Sequence, residues 1–86
     1  MSFDCIIFKS NQDPFIHEVN SESSDFDIVY LDREVYESFS IERIEEKDHE
    51  DGRIALYLVA NKSGVEREFI IEAIRNLKPR PVRHFD

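Results

Sequence analysis

The chain has 86 residues, a length that fits one domain and leaves no room for two. Hydrophobic residues make up 41% and aromatic residues 12%, which excludes a disordered chain. The 19 acidic residues against 11 lysines and arginines give a formal net charge of -8, which argues against direct nucleic-acid binding. No apolar run approaches the ~20 residues of a membrane span, and no signal peptide is visible. We therefore expect a cytoplasmic protein without a membrane partner.

The first third of the chain predicts two strands joined by a polar loop. Residues 1–8 carry apolar side chains on both faces, which is typical of a strand covered on two sides. Residues 15–19 have some strand character, and the polar run 20–25 predicts a loop. Residues 26–31 are rich in β-branched and aromatic side chains and predict the second strand.

Residues 32–39 fit two local structures. Asp32 can cap a short helix whose inner face carries Val35, Tyr36 and Phe39. The same residues can continue as an irregular strand. We favour the short helix.

The clearest motif is an antiparallel hairpin. Residues 40–47 predict a strand exposed on one side, and residues 53–60 alternate apolar side chains on both faces. A bulge near Arg43 would explain the broken alternation in the first of these strands. The turn between the two strands ends at Gly52, which tolerates a positive φ.

A C-terminal amphipathic helix follows the hairpin. Ser63 and Glu66 have the spacing of a capping box, in which each side chain bonds a backbone N–H at the helix start. Pro79 ends the helix. Its apolar face comprises Val65, Phe69, Ile70, Ala73, Ile74 and Leu77.

These elements predict an α+β fold. We expect a mainly antiparallel sheet of three to four strands with the helix packed on one face, a two-layer sandwich. Residues 1–78 form the single domain, and residues 79–86 form a basic, proline-containing tail.

Charge is distributed unevenly along the chain. Residues 13–51 hold fourteen acids and three bases, whereas residues 52–86 hold four acids and seven bases. An acidic surface of this kind speeds association with a basic protein. We therefore predict a non-enzymatic binding module, similar in use to an inhibitor or immunity protein, whose acidic face docks on a basic partner. The face comprises Glu42, Glu45, Glu46, Asp48, Glu50 and Asp51.

The basic tail allows three interpretations, one of which is a frayed terminus. It can pack on the acidic body of the same chain, anchored by Val82 and Phe85. Alternatively, Arg80, Arg83 and Phe85 form an interface with a second copy. A small homo-oligomer held by this tail or by a sheet edge is accordingly the second functional hypothesis.

Residue patterns for catalysis or metal binding are weak. Cys5 lies in an apolar strand beside Asp4, where burial and charge both raise the pKa of a thiol. The loop around His49 lacks the ligand spacing of a calcium site. No carboxylate is singled out as a general acid or base, and the two glycines form no phosphate-binding loop. We therefore predict no catalytic residues, no metal and no cofactor.

Overall fold

The computed structural model describes residues 2–48 and 50–85. This part of the chain contains seven strands and one helix. The fold is α+β, as predicted. Met1, His49 and Asp86 lie outside the described residues. Met1 is the first residue of the predicted first strand, His49 belongs to the predicted turn, and Asp86 is the last residue of the predicted tail. The elements are β1 (Phe3–Phe8), β2 (Phe15–Val19), β3 (Phe26–Tyr30), β4 (Val35–Phe39), β5 (Glu42–Lys47), β6 (Ile54–Asn61), α1 (Arg67–Leu77) and β7 (Arg83–Phe85).

The main sheet has five strands and mixed direction. Its order is β2-β1-β6-β5, and β7 also pairs with β6. β1 runs parallel to β6, whereas the other neighbours are antiparallel. The prediction of three or four mainly antiparallel strands was therefore wrong. Strand patterns reveal local pairs, but the pairing of β1 with β6 joins segments about fifty residues apart.

β6 organises this sheet because its eight residues are paired on both edges. β5 covers one edge along nearly the whole strand. The other edge is shared: β1 pairs with Leu58 to Asn61, and β7 pairs with Ile54 to Leu56. The C-terminal segment thus completes an edge that β1 leaves half covered.

β3 and β4 form a separate two-stranded sheet, which we call the upper hairpin. The predicted helix over residues 32–39 is wrong, since Val35–Phe39 is a strand. Glu34 has a φ of 53° in the turn, and the Arg33 N–H donates to the Tyr30 carbonyl. The spacing of apolar residues in this segment fits a helix as well as a strand. The segment forms a strand because it pairs with β3.

The main sheet is covered on both faces, so the molecule has three layers rather than the expected two. Helix α1 packs on one face and the upper hairpin on the other. β1 contributes to both clusters, as its two apolar faces predicted. The buried residues on the helix side are Ile6, Phe8, Ala55, Tyr57, Val59, Ile70, Ala73 and Ile74. Those on the hairpin side are Cys5, Ile7, Val19, Phe39, Leu58 and Ala60.

The antiparallel hairpin of β5 and β6 is confirmed, including a positive φ of 85° at Gly52. The bulge near Arg43 is wrong, because pairing is continuous from Glu42 to Lys47. Ile41 packs in the hairpin-side cluster and Ile44 against the helix-side cluster. Two covered faces therefore explain the broken alternation without a bulge.

Helix α1 begins at Arg67, later than the predicted capping box requires. Glu66 is the N-cap residue and makes no side-chain capping bond, so the reciprocal Ser63–Glu66 box is wrong. Asn61 instead organises the approach to the helix: its amide accepts from the Val65 N–H and donates to the Val65 carbonyl, each at 2.9 Å. Lys78 ends the helix in a left-handed conformation just before Pro79.

Candidate protein-binding surface

The six carboxylates predicted as one acidic face lie on the edge strand β5 and in the turn that follows it. Side chains alternate between the two faces of a strand. Glu42 and Glu46 consequently lie on the helix side of the sheet, as Ile44 does, whereas Glu45 lies on the opposite side. The remaining three, Asp48, Glu50 and Asp51, belong to the turn. The structure thus distributes the predicted face over both sides of the sheet edge.

Basic groups of the same chain contact four of these carboxylates. Arg67 Nη2 lies 3.7 Å from Glu46, and Lys78 Nζ lies 4.0 Å from Glu50. His84 Nε2 lies 2.7 Å from Asp48 Oδ2. Asp51 binds both Nε and Nη2 of Arg53. Among the described residues, Glu42 and Glu45 have no ion pair of their own.

Two of the turn carboxylates are held firmly in their charged form. The hydrogen bond from His84 lowers the pKa of Asp48, and the N–H groups of Glu50 and Asp51 add to this effect. The Arg53 side chain lowers the pKa of Asp51. Asp48, Asp51 and His84 present three ligand-type atoms within 4.8 Å of one another. The contact of His84 with Asp48 joins β7 to the turn, so the cluster has a structural role.

The outer edge of β5 is blocked by charge. Arg67 Nη2 donates to the Glu45 carbonyl at 2.9 Å, so this backbone acceptor is occupied by a side chain. Glu42, Arg43, Glu45 and Lys47 are all exposed along the strand. Charged side chains and occupied carbonyls discourage edge-to-edge pairing with another strand. The carboxylates of β5 therefore have a structural explanation that needs no partner.

The basic tail packs on its own chain. Arg80 contacts Asp4 through its backbone N–H, at 2.8 Å, and through its guanidinium, at 2.8 and 3.2 Å. These contacts lower the pKa of Asp4 and raise that of Arg80. Arg83 donates to both carboxylate oxygens of Glu22, and Val82 joins the hairpin-side cluster. Phe85 lies in β7 with 37% of its surface exposed.

An exposed apolar surface lies on the outer face of the upper hairpin. Val29 and Tyr36 lie directly opposite each other on β3 and β4, with 61% and 68% of their surfaces exposed. Leu31, in the turn that follows β3, is 85% exposed. Large apolar side chains that cluster in this way mark an interaction site more often than isolated ones do. We call Val29, Leu31 and Tyr36 the apolar patch.

Carboxylates flank the apolar patch at both ends. Asp27 lies opposite Ser38 on the same face and accepts a hydrogen bond from its hydroxyl at 2.6 Å. Asp32 and Glu34 belong to the turn beyond Leu31. Arg33 is the nearby cation: its Nε lies 3.9 Å from Asp32 Oδ1, and its guanidinium lies over the Tyr30 ring, 4.5 Å from the ring centroid. The arrangement is an apolar centre with a negatively charged rim, the general anatomy of a binding interface.

The sequence prediction missed this surface because it assigned residues 32–39 to a helix. The signal was present: Asp27 and Val29 alternate with the inward-facing Phe26 and Ile28. Reading the second segment as a strand would have placed Tyr36 beside Val29. The helix prediction instead put Tyr36 among buried residues.

Partly buried polar contacts join the upper hairpin to Lys9, the residue that follows β1. Lys9 Nζ donates to Glu37 Oε1 and to the Tyr30 hydroxyl, and the Tyr30 hydroxyl donates to Glu37 at 2.9 Å. The hydrogen bond from Lys9, followed by that from Tyr30, lowers the pKa of Glu37 to about 2. Phe26 stacks between His17 and Phe39 at the other end of the hairpin. The upper hairpin, which carries the apolar patch, is therefore held in place by contacts at both of its ends.

Cys5 is buried and has no exposed surface. Burial raises the pKa of its thiol to about 12, so the protonated form predominates at neutral pH. This environment is the opposite of that which activates a nucleophilic thiolate.

Comparison with known families, curated proteins and solved structures finds no significant match to the chain. Within residues 2–48 and 50–85, no helix has the length and hydrophobicity that a membrane span needs. Function must therefore be argued from the surface itself.

Proposed function

We propose that this protein is a non-catalytic binding module that docks a negatively charged surface on a basic protein partner. The contact is made by the upper hairpin, with the apolar patch at its centre and Asp27, Asp32 and Glu34 around it. The observation that carries the proposal is the exposure of Val29 and Tyr36 opposite each other on one face, with the exposed Leu31 in the turn that follows β3.

The distribution of ion pairs supports a basic partner. Most lysines and arginines of the described residues already contact carboxylates of the same chain, including Lys9, Arg43, Lys62, Arg67 and Arg80. In the rim of the upper hairpin, Asp27 and Glu34 have no ion pair among the described residues, whereas Asp32 contacts Arg33. A negative rim attracts a basic surface over a screening length of about 8 Å at physiological ionic strength.

The composition of the hairpin face supports affinity as well as attraction. Exposed charges mainly affect the rate of association, whereas desolvated aromatic side chains contribute most of the binding energy. Tyr36 combines a large apolar ring with a hydroxyl and is the type of residue enriched in such centres. A second copy is a poor occupant, because two negative rims would face each other.

A homo-oligomer held by a sheet edge or by the tail is the alternative function, and it has less support. Arg67 occupies the Glu45 carbonyl on the β5 edge. Arg80 and Arg83 already bind Asp4 and Glu22 of the same chain. Both surfaces would have to release existing contacts before they could pair with another copy.

Titration of the isotope-labelled protein with a defined basic peptide tests the proposal. The probe is a 12-residue peptide that alternates arginine with leucine or tryptophan, and the matched probe alternates arginine with serine at the same charge. We expect saturable amide shifts on β3 and β4 with the first peptide. Its affinity should exceed that of the serine peptide about tenfold and should weaken between 50 and 500 mM NaCl.

Two matched double variants locate the contact. V29S/Y36S removes the apolar centre without touching the core and should weaken binding of the leucine/tryptophan peptide about tenfold. E42K/E45K changes the charge on β5, where neither carboxylate has an ion pair in the described part of the chain, and should weaken it about threefold or less. Binding that V29S/Y36S leaves unchanged, or equal binding of both peptides, would refute the hairpin as the docking surface.

A further inference from the structure

A groove lies on the side of the molecule opposite the apolar patch. It runs between helix α1 and the loop that joins β1 to β2, and its volume is about 430 Å³. Pockets that take a small ligand or an anchoring side chain have volumes of this order. Phe8 and Ala73, both buried, line it from below.

Half of the residues that line the groove are apolar, and they come from both elements. Val65, Phe69 and Leu77 line the helix side, and Pro14 lines the loop side. Phe69 is 52% exposed although the sequence predicts it on the buried face of α1. Its neighbours Ile70 and Ala73 reach the sheet, whereas Phe69 borders the groove instead. The helix therefore presents an aromatic side chain to an open cavity.

The charged groups at the rim make this groove negative. Asp13 borders it from the loop and Glu72 from the helix, and neither has an ion pair among the described residues. Lys9 also borders the groove, but its ammonium group binds Glu37 and Tyr30 of the upper hairpin. Among the described residues that line the groove, Lys9 is the only cation, and the upper hairpin neutralises it, whereas two carboxylates remain.

We propose that this groove binds an aromatic or aliphatic side chain that lies next to a lysine or arginine in a basic partner. The apolar side chain packs on Phe69 and Phe8, and the neighbouring cation approaches Asp13 and Glu72. The choice of occupant rests on the proposed function, since a basic protein partner supplies this chemistry. The groove then acts as a second anchoring point, for a partner segment that reaches the side of the molecule opposite the upper hairpin.

Small probes with one ring and different charges test the chemistry of the groove directly. The isotope-labelled protein is titrated separately with phenylethylammonium, with neutral 2-phenylethanol and with phenylacetate. We expect saturable shifts at residues 12–14 and 65–77 with the cation and a dissociation constant of about 1–10 mM, as suits a fragment of this size. Phenylacetate should bind at least about fivefold more weakly. Equal binding of cation and anion, or shifts outside the groove, would overturn the proposal.

Surface variants separate charge from shape. D13N/E72Q should reduce the affinity for the cation about threefold to tenfold and leave that for 2-phenylethanol unchanged. E68Q is the matched control, because Glu68 lies on the same helix but does not border the groove. F69S should weaken both ligands, and its amide spectrum outside the groove shows whether the fold is kept. A cation affinity that D13N/E72Q leaves unchanged would exclude the carboxylates.

The results distinguish this inference from the proposed function. If the arginine-rich peptide shifts only the upper hairpin and no probe enters the groove, the groove proposal fails and the hairpin proposal stands. If phenylethylammonium binds the groove but the peptide does not bind the hairpin, the hairpin proposal fails and the groove still binds a cationic aromatic ligand.

Discussion

Asp4 and Arg80 form an ion pair that joins the first strand to the last segment of the chain. Asp4 Oδ1 lies 2.8 Å from Arg80 Nη2, and Oδ2 accepts from both the backbone N–H and Nε of Arg80. Asp4 is almost completely buried, whereas the Arg80 side chain is 65% exposed. The contact holds the chain between α1 and β7 against β1, so that β7 reaches β6.

Replacing Asp4 by asparagine should destabilise the fold. A hydrogen bond to a charged group contributes about 1.5–3 kcal/mol, and the exposure of Arg80 favours the lower part of that range. We expect D4N to lower the free energy of unfolding by about 1.5–2 kcal/mol in urea denaturation. E18Q is the control, since Glu18 is exposed and lies 4.0 Å from Arg80; it should change stability by less than about 0.5 kcal/mol. Equal effects of both variants would contradict the assigned role.

Stability should fall at acid pH because of Glu37. Its pKa is lowered to about 2 from an ordinary value of 4.5, so the fold favours the charged carboxylate. The resulting stabilisation is complete above the ordinary pKa and is lost as the pH falls towards 2. Urea denaturation at intervals from pH 6 to pH 2 measures this loss. E37Q should reduce the slope, whereas E34Q should keep it; a slope that E37Q leaves unchanged would exclude Glu37 as a source.

The approach to helix α1 should depend on Asn61 and not on Ser63. The Asn61 amide satisfies both backbone groups of Val65, whereas no side-chain capping bond forms at Glu66. We expect N61A to cost about 0.5–2 kcal/mol of stability, the range of a lost cap. S63A should cost less than about 0.5 kcal/mol by the same thermal or urea measurement. A larger loss of stability in S63A than in N61A would contradict this assignment and favour the predicted Ser63–Glu66 capping box.

Cys5 should react with thiol reagents only when the protein unfolds. Its side chain has no exposed surface, and burial raises its pKa to about 12. We expect modification by a disulfide reagent at pH 8 to be at least about a hundredfold slower in buffer than in denaturant. Because Cys5 is the only cysteine, the rate reports its site alone. Rapid reaction of the folded protein would contradict the burial.

The sequence predicted the elements whose pattern is local. The two apolar faces of residues 1–8 indicated a strand covered on both sides, and β1 has that environment. Residues 40–47 and 53–60 are joined by a short turn, and adjacent strands of this kind pair with each other. The amphipathic C-terminal helix was also predicted, although its start was placed too early.

Errors arose where a pattern fitted two structures. Val35 and Phe39 are four residues apart, which suits one face of a helix as well as alternate positions in a strand. The same ambiguity led to a bulge at Arg43, because Ile41 and Ile44 were assumed to share one covered face. Both errors have one cause: the upper hairpin covers a second face of the main sheet, and that layer could not be inferred from either segment alone.

The predicted acidic face shows the same limit for charge. Composition established that carboxylates are in excess and that they concentrate in residues 13–51. It could not show that Arg67, Lys78 and His84 lie beside the carboxylates of β5 and its turn. A binding role for Glu42, Glu45 and their neighbours remains a prediction, which the E42K/E45K variant tests.

The amino-acid sequence by itself determined the α+β class, the acidic balance, and the strands and helix whose side-chain periodicity spans a few residues. Tertiary structure alone decided the parallel pairing of β1 with β6, the third layer, and the contact of Arg80 with Asp4. The physical reason is range. Periodicity reflects how neighbouring residues meet one surface, whereas pairing and ion contacts depend on which distant segments the folded chain brings together.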